Sequence, residues 1–169
     1  MMKTTNNMKR KDYFMLAGVV LIFSVIMAAF CNMKSLWMDD LAQIDIAIKP
    51  TLAAMIQQNV NLDLNPPLTH LMYYFWIRIV PYGTGWLKLL NIFFVVIGTY
   101  ICGVTANNLY GTKADVATAI SCAANTSLVT LAAYTTRPYG FLFLISSLSL
   151  LLYANSRNEN TGKKNLFFS

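Results

Sequence analysis

Three short stretches of the chain gather side chains able to do chemistry. The first is Trp37-Met38-Asp39-Asp40, two adjacent carboxylates behind an indole ring. A carboxylate is charged above pH ~4 and accepts a proton in a transition state, so Asp39 and Asp40 are candidate general bases. The second is Asn65-Pro66-Pro67 with His70 shortly beyond it, an amide and an imidazole able to hold or protonate a substrate oxygen. The third is Thr136-Arg137-Pro138-Tyr139, whose guanidinium offers the paired donors that suit a phosphate. Each group also has a plain structural use. Asp39 or Asp40 can open a helix as its N-cap, and Pro66-Pro67 can start one. His70 can be a buried structural residue, and Arg137 can mark a span boundary. Cys31, Cys102 and Cys122 have no metal-ligand spacing and serve as small apolar residues.

The elements that must position these groups follow from composition. The chain has 169 residues, of which 56% are hydrophobic and only 12% charged. Soluble domains carry about 25% charge, so this chain cannot cover a compact soluble surface. A soluble enzyme and a disordered segment are both excluded. The net charge of +6 is spread over the ends of apolar runs and forms no patch for a nucleic acid. Charge-free runs predict four transmembrane helices at about 13–33, 89–110, 116–135 and 138–155. Each is close to the ~20 residues that cross a ~30 Å hydrocarbon layer. The fold class is thus all-α, a polytopic membrane helix bundle. The first run is too long for the core of a signal peptide and is read as an uncleaved helix. The third run is polar, with Thr118, Ser121, Asn125, Thr126, Ser127 and Thr130; such residues more often face neighbouring helices than lipid, so that helix is expected to pack inside the bundle.

Eight of the 13 Lys and Arg residues fall on the N-terminus, the loop after the second span and the C-terminus. That density puts both termini in the cytoplasm and the loop 34–88 outside. The loop is too long to be a mere connection. Leu41, Ile44, Ile48, Leu52 and Met55 recur at helical spacing, interrupted by Pro50. Asp45 and Lys49 form an i,i+4 pair on another face. These residues predict amphipathic helices lying in the outer interface, among the membrane lipids. A further helix of about 14 residues starts at Pro66-Pro67 and runs to Val80. The four-span topology carries all three polar stretches to one membrane face. Carboxylates, a guanidinium and an imidazole at an apolar boundary point to a lipid-borne anion.

The order of these features resembles the N-terminal portion of the GT-C superfamily of integral-membrane glycosyltransferases. The nearest group is the protein-mannosyltransferase and aminoarabinose-transferase-like branch, with its many bacterial members. The resemblance rests on Ser35-Leu36-Trp37-Met38-Asp39-Asp40, then Asn65-Pro66-Pro67-Leu68, then Leu109-Tyr110-Gly111, then Thr136-Arg137-Pro138-Tyr139, and it covers about Tyr13 to Tyr153. It implies transfer of one sugar, with inversion, from a polyprenyl-phosphate carrier to a lipid, glycan or protein acceptor at the outer face of a bacterial inner membrane. Asp39 takes the position of the family's acidic residue in the first outer loop, which the resemblance implies accepts the proton of the acceptor hydroxyl. Asp40 stands where Glu is usual and Asn65 where His is common, and His70, three residues past Pro67, does not match that position. Arg137 and Tyr139 match the later element and are assigned to the carrier phosphate. A divalent metal ion is a candidate cofactor, with no ligand set assigned. Family members carry more spans, so the resemblance reads this chain as a truncated transferase. The competing reading is a non-catalytic four-span binding or scaffold protein. A transporter fits less well, because the four spans hold no ionisable residue at mid-membrane.

Overall fold

The computed structural model describes residues 10–62, 67–111 and 113–167, with side chains as far as Ser156. The described residues form helices joined by short turns, with no strand among them. Helix α1 covers Arg10–Phe30 and ends in a short 3₁₀ turn, Cys31–Met33. Three shorter helices follow: α2 (Met38–Ala47), α3 (Leu52–Leu62) and α4 (Pro67–Ile79). The long α5 (Thr84–Tyr110) leads to α6 (Ala114–Ala124), a π-helical segment Leu128–Ala133, and α7 (Tyr139–Phe167). Three helical stretches are long and apolar enough to cross a membrane: Arg10–Met33, Thr84–Tyr110 and Tyr139–Ser156. Their outward faces are apolar, with Leu21, Ile22 and Val25 on α1 and Leu142, Ile145 and Leu152 on α7 all exposed. Such faces suit hydrocarbon and not water.

Helix α5 is the axis of the bundle and packs against α1, α6 and α7. Phe23 and Met27 of α1 and Cys31 of the following 3₁₀ turn meet Ile92 and Val95 of α5 and Ala132 and Ala133 of the π segment. Leu16 and Val20 pack on Ala119 of α6. Close approach depends on glycine. A Cβ at Gly103 would meet the Leu16 side chain at 2.7 Å, and one at Gly98 the Phe143 ring at 2.6 Å.

The run expected as one helix over 116–135 is broken. Asn125 leaves the helical region (φ −77°, ψ 100°), and its side-chain oxygen accepts the Leu128 N–H at 3.0 Å, restarting the helix. The restarted turn is wound in π fashion, with the Tyr134 N–H reaching the Val129 carbonyl at 3.2 Å. The two pieces still travel the length of α5. Asp115 receives a hydrogen bond from Asn107 near one end of α5, and the Thr135 carbonyl receives one from Asn91 near the other. Those asparagines are separated by about 24 Å at 1.5 Å per residue. The segment packs against α5 and α1, with Thr118 and Thr130 half-buried, but most of its polar side chains do not turn inward. Ser121, Asn125, Thr126 and Ser127 are exposed. Ser121 instead donates to its own helix at Ala117, as Thr130 does to Thr126, so neither hydroxyl needs a neighbouring helix.

Helices α2 to α4 form a small cluster at the end of the bundle where α1 finishes and α5 begins. Pro50 separates α2 from α3, as its missing N–H and fixed φ require. The expected stripe is only half inside. Ile44 and Met55 are buried with Ile46, Ala47, Tyr73 and Tyr74, while Leu41, Ile48 and Leu52 are exposed. Arg78 ties α4 to the α2–α3 turn, donating to the Lys49 carbonyl at 2.7 Å and lying 3.4 Å over the Tyr74 ring. The Trp76 indole N–H donates to the Trp86 carbonyl at 2.8 Å, tying α4 to α5.

Candidate functional site

The site forms where the start of α2 meets the turn before α7. Trp37 is the N-cap of α2, so Met38, Asp39 and Asp40 make its first turn. Successive helical residues point about 100° apart. Asp40 therefore turns into the protein and Asp39 turns out.

Asp40 is 1% exposed. Its Oδ2 accepts the Trp37 N–H at 3.0 Å, which closes the first turn of α2. Its Oδ1 accepts the Thr136 N–H at 2.8 Å and the Thr136 hydroxyl at 3.1 Å. The carboxylate expected to share the chemistry is thus a clasp between α2 and the turn before α7. The Tyr73 phenol lies near it, pushed up by burial and then by the Asp40 charge, and stays protonated.

Asp39 is exposed and forms an ion pair with Nη2 of Arg137. The two residues come from distant parts of the sequence and meet at one end of the bundle. The turn that carries Arg137 is anchored from below. Asn91 of α5 donates through Nδ2 to the carbonyls of Thr135 and Arg137, each at 2.7 Å. Gly140 permits that closeness, since a Cβ there would meet the Ala132 carbonyl oxygen at 2.9 Å and the Asn91 carbonyl oxygen at 3.0 Å. Partial burial lowers the Arg137 pKa, but the Tyr139 hydroxyl, Asp39 and Asp40 more than offset it, so the net shift is upward. The guanidinium is a permanent cation.

Two further cations stand close by. Lys34 donates to the Thr130 carbonyl at 3.1 Å, with its Nζ 5.5 Å from the centre of the Trp37 ring. Lys88, fully buried on α5, donates to the Cys31 carbonyl at 2.8 Å and to the Lys34 carbonyl, capping the end of α1. Sequence reasoning used both only as orientation signals. Their place beside span ends was visible in the sequence, but their direction was not.

The Asp39–Arg137 pair is the shared wall of two cavities. One, of about 190 Å³, is bounded by Lys34, Trp37, Leu131, Thr135 and Tyr139. It adjoins a largely apolar groove of about 650 Å³ between α6, the π segment and α7, with Leu131 and Tyr139 common to both. The other, of about 350 Å³, lies between α2 and α3, with Gln43, Asp45 and Gln58 in its walls.

The remaining expected site residues fall elsewhere. His70 is buried between α4 and α3, its Nδ1 bonded to Asn59 Nδ2 at 3.0 Å, and it lines neither cavity beside the pair. Asn65 lies outside the described residues. No group of three His, Cys, Asp or Glu side chains gathers among the described residues. The Asp40 oxygens are already committed to hydrogen bonds with Trp37 and Thr136. Comparison with protein-family models, with curated proteins and with solved structures gives no match to this chain.

Proposed function

We propose that this chain is the N-terminal portion of an integral-membrane glycosyltransferase of the GT-C kind, moving a sugar from a polyprenyl-phosphate carrier to an acceptor at the outer face of a bacterial inner membrane. The observation that carries the reading is the Asp39–Arg137 pair standing between an apolar-backed cavity and a polar cleft. A lipid phosphate fits the first side. Its head meets Arg137 and Lys34, and its prenyl chain follows the groove between α6 and α7. One guanidinium can serve carboxylate and phosphate together, because it has five N–H donors and Asp39 takes only part of them.

The transfer uses the residues as follows. The acceptor hydroxyl gives its proton to the Asp39 carboxylate while its oxygen attacks the anomeric carbon. The bond from that carbon to the phosphate oxygen breaks, and the electron pair leaves with the phosphate. Arg137 and Lys34 stabilise the charge that develops there. Attack opposite the leaving group inverts the anomeric centre. The Tyr139 hydroxyl steadies Arg137. Asp40, which also lines the carrier cavity, and Asn91 position the loop.

Binding of farnesyl phosphate to the protein in nanodiscs tests the reading. Arg137→Gln should weaken it by about 1.5–3 kcal/mol, roughly ten- to a hundredfold, the worth of a charged hydrogen bond. Neutral farnesol should show no such loss. Equal affinity in the two proteins removes Arg137 from the carrier site.

This reading also has the broken 114–133 segment serve as a fourth crossing, with α2 to α4 in the outer interface and both termini cytoplasmic. Reporters fused at either end should then both read cytoplasmic. Opposite readings leave an odd number of crossings and remove the shared outer face.

A further inference from the structure

The cleft between α2 and α3 takes no part in the steps above. Gln43, in its wall, is 4% exposed, and its Nε2 has no hydrogen-bond partner among the described residues. A buried polar group left this way costs about 1–3 kcal/mol, which a complementary ligand recovers. The rest of the wall narrows the ligand's chemistry. Asp45 is held by Gln58 at 3.1 Å and Lys49 at 3.4 Å, and both bonds end on its Oδ2. Asp39 and Arg137 close one side, and Ile46 and Leu62 add apolar surface.

We infer that this cleft is a subsite for a single saccharide ring. A sugar hydroxyl both donates and accepts, so it satisfies the Gln43 amide in either orientation and donates to the carboxylates of Asp39 and Asp45. The C–H face of the ring suits Ile46 and Leu62. The volume of about 350 Å³ sits near the lower end of small-molecule sites, roughly 300–1,000 Å³. One ring fits and a long glycan does not. The cleft lies across the Asp39–Arg137 pair from the lipid groove. On the transfer reading, the ring belongs to the acceptor and presents its hydroxyl to Asp39. That assignment rests on the proposed function, whereas saccharide binding itself does not.

Saturation-transfer NMR on the protein in nanodiscs tests it, with methyl α-mannoside, methyl α-glucoside and methyl N-acetyl-β-glucosaminide as probes. Choline is the cationic control, since two carboxylates, Asp39 and Asp45, line the cleft. At least one glycoside should bind, and Gln43→Leu should weaken it about three- to tenfold, the net worth of one or two hydrogen bonds. The unfolding midpoint should hold or rise, since the unpaired amide is gone, and farnesyl phosphate binding should stay unchanged. Should Gln43→Leu not fold, Gln58→Ala at the solvent-facing rim should weaken the same glycoside. Three results overturn the inference: no glycoside binds, binding is equal in the variant that folds, or choline is taken in preference. If the wild-type protein binds a glycoside through Gln43 but not farnesyl phosphate, the subsite stands and the carrier reading fails.

Discussion

On the proposed transferase reading, Asp39→Asn should cut sugar transfer sharply while the folded protein still binds the carrier phosphate. The substitution is nearly isosteric and lies on an exposed face, so the α2 turn keeps its Asp40 clasp. What disappears is the proton acceptor. General-base catalysis is worth about 10²–10⁴ in rate, and the turnover number should fall by that much. The second consequence has the opposite sign. Arg137 loses its carboxylate partner and is freed for the phosphate, so farnesyl phosphate should bind as tightly as before or more tightly. A merely structural ion pair predicts something else, namely a loss of stability with no such split between turnover and binding. The measurements are initial rates of transfer in the full-length enzyme and farnesyl phosphate affinity in the same preparation. Retained turnover removes Asp39 from the chemistry. Weakened phosphate binding shows the pair to be a scaffold for the pocket.

Hydropathy made the long elements legible because lipid-facing helices must be apolar over their whole length. The uncharged stretches around α1, α5 and α7 reappear as helices, although α5 starts earlier, at Thr84, and α7 runs on past the expected end to Phe167. Pro66-Pro67 marked the start of α4, which begins at Pro67. The break at Asn125 was illegible to hydropathy. It comes from one side chain bonding to the backbone three residues on, a local competition that a window average removes. Periodicity located α2 and α3 but misjudged their faces. The cluster buries Gln43, Asn59 and His70 beside its apolar residues, while Leu41 and Ile48 stay out. The meeting of Asp39 with Arg137 could be argued from topology alone, since both follow or precede a span at the same end. The division of labour between Asp39 and Asp40 could not. Two adjacent carboxylates look alike in a sequence, and the helix separates them by about 100°. Lys88 was hidden for a related reason. A cation near a span end reads as facing water, and here it faces carbonyls left over at the end of α1.

Asp40→Ala should be the most destabilising single change at this end of the molecule. It deletes the acceptor for the Trp37 N–H, the Thr136 N–H and the Thr136 hydroxyl at once. Two of these donors belong to Thr136, which is fully buried and has no easy access to water. Each buried donor left unsatisfied costs about 1–3 kcal/mol, so the loss of all three comes to about 3–5 kcal/mol after partial relaxation. For a chain of this size that corresponds to a fall in unfolding midpoint of roughly 10 °C. Asp40→Asn separates charge from geometry. Its oxygen can still accept from Thr136, but its amide then faces the Trp37 N–H, donor against donor, so α2 loses its first-turn bond and keeps its tie to α7. An intermediate loss of about 1–2 kcal/mol follows. Thermal unfolding in one detergent orders the three proteins as wild type, Asp40→Asn, Asp40→Ala. A chemical cross-link between cysteines placed at positions 39 and 137 then reports whether the two strands of the site still meet. It should form in the wild-type background and fail with Asp40→Ala, because Asp40 is the bond that brings Arg137 to Asp39. If the cross-link survives at full yield, Asn91 and the packing around Gly140 hold the loop without help from α2. The clasp would then be dispensable, and Asp40 would be free for a role at the substrate.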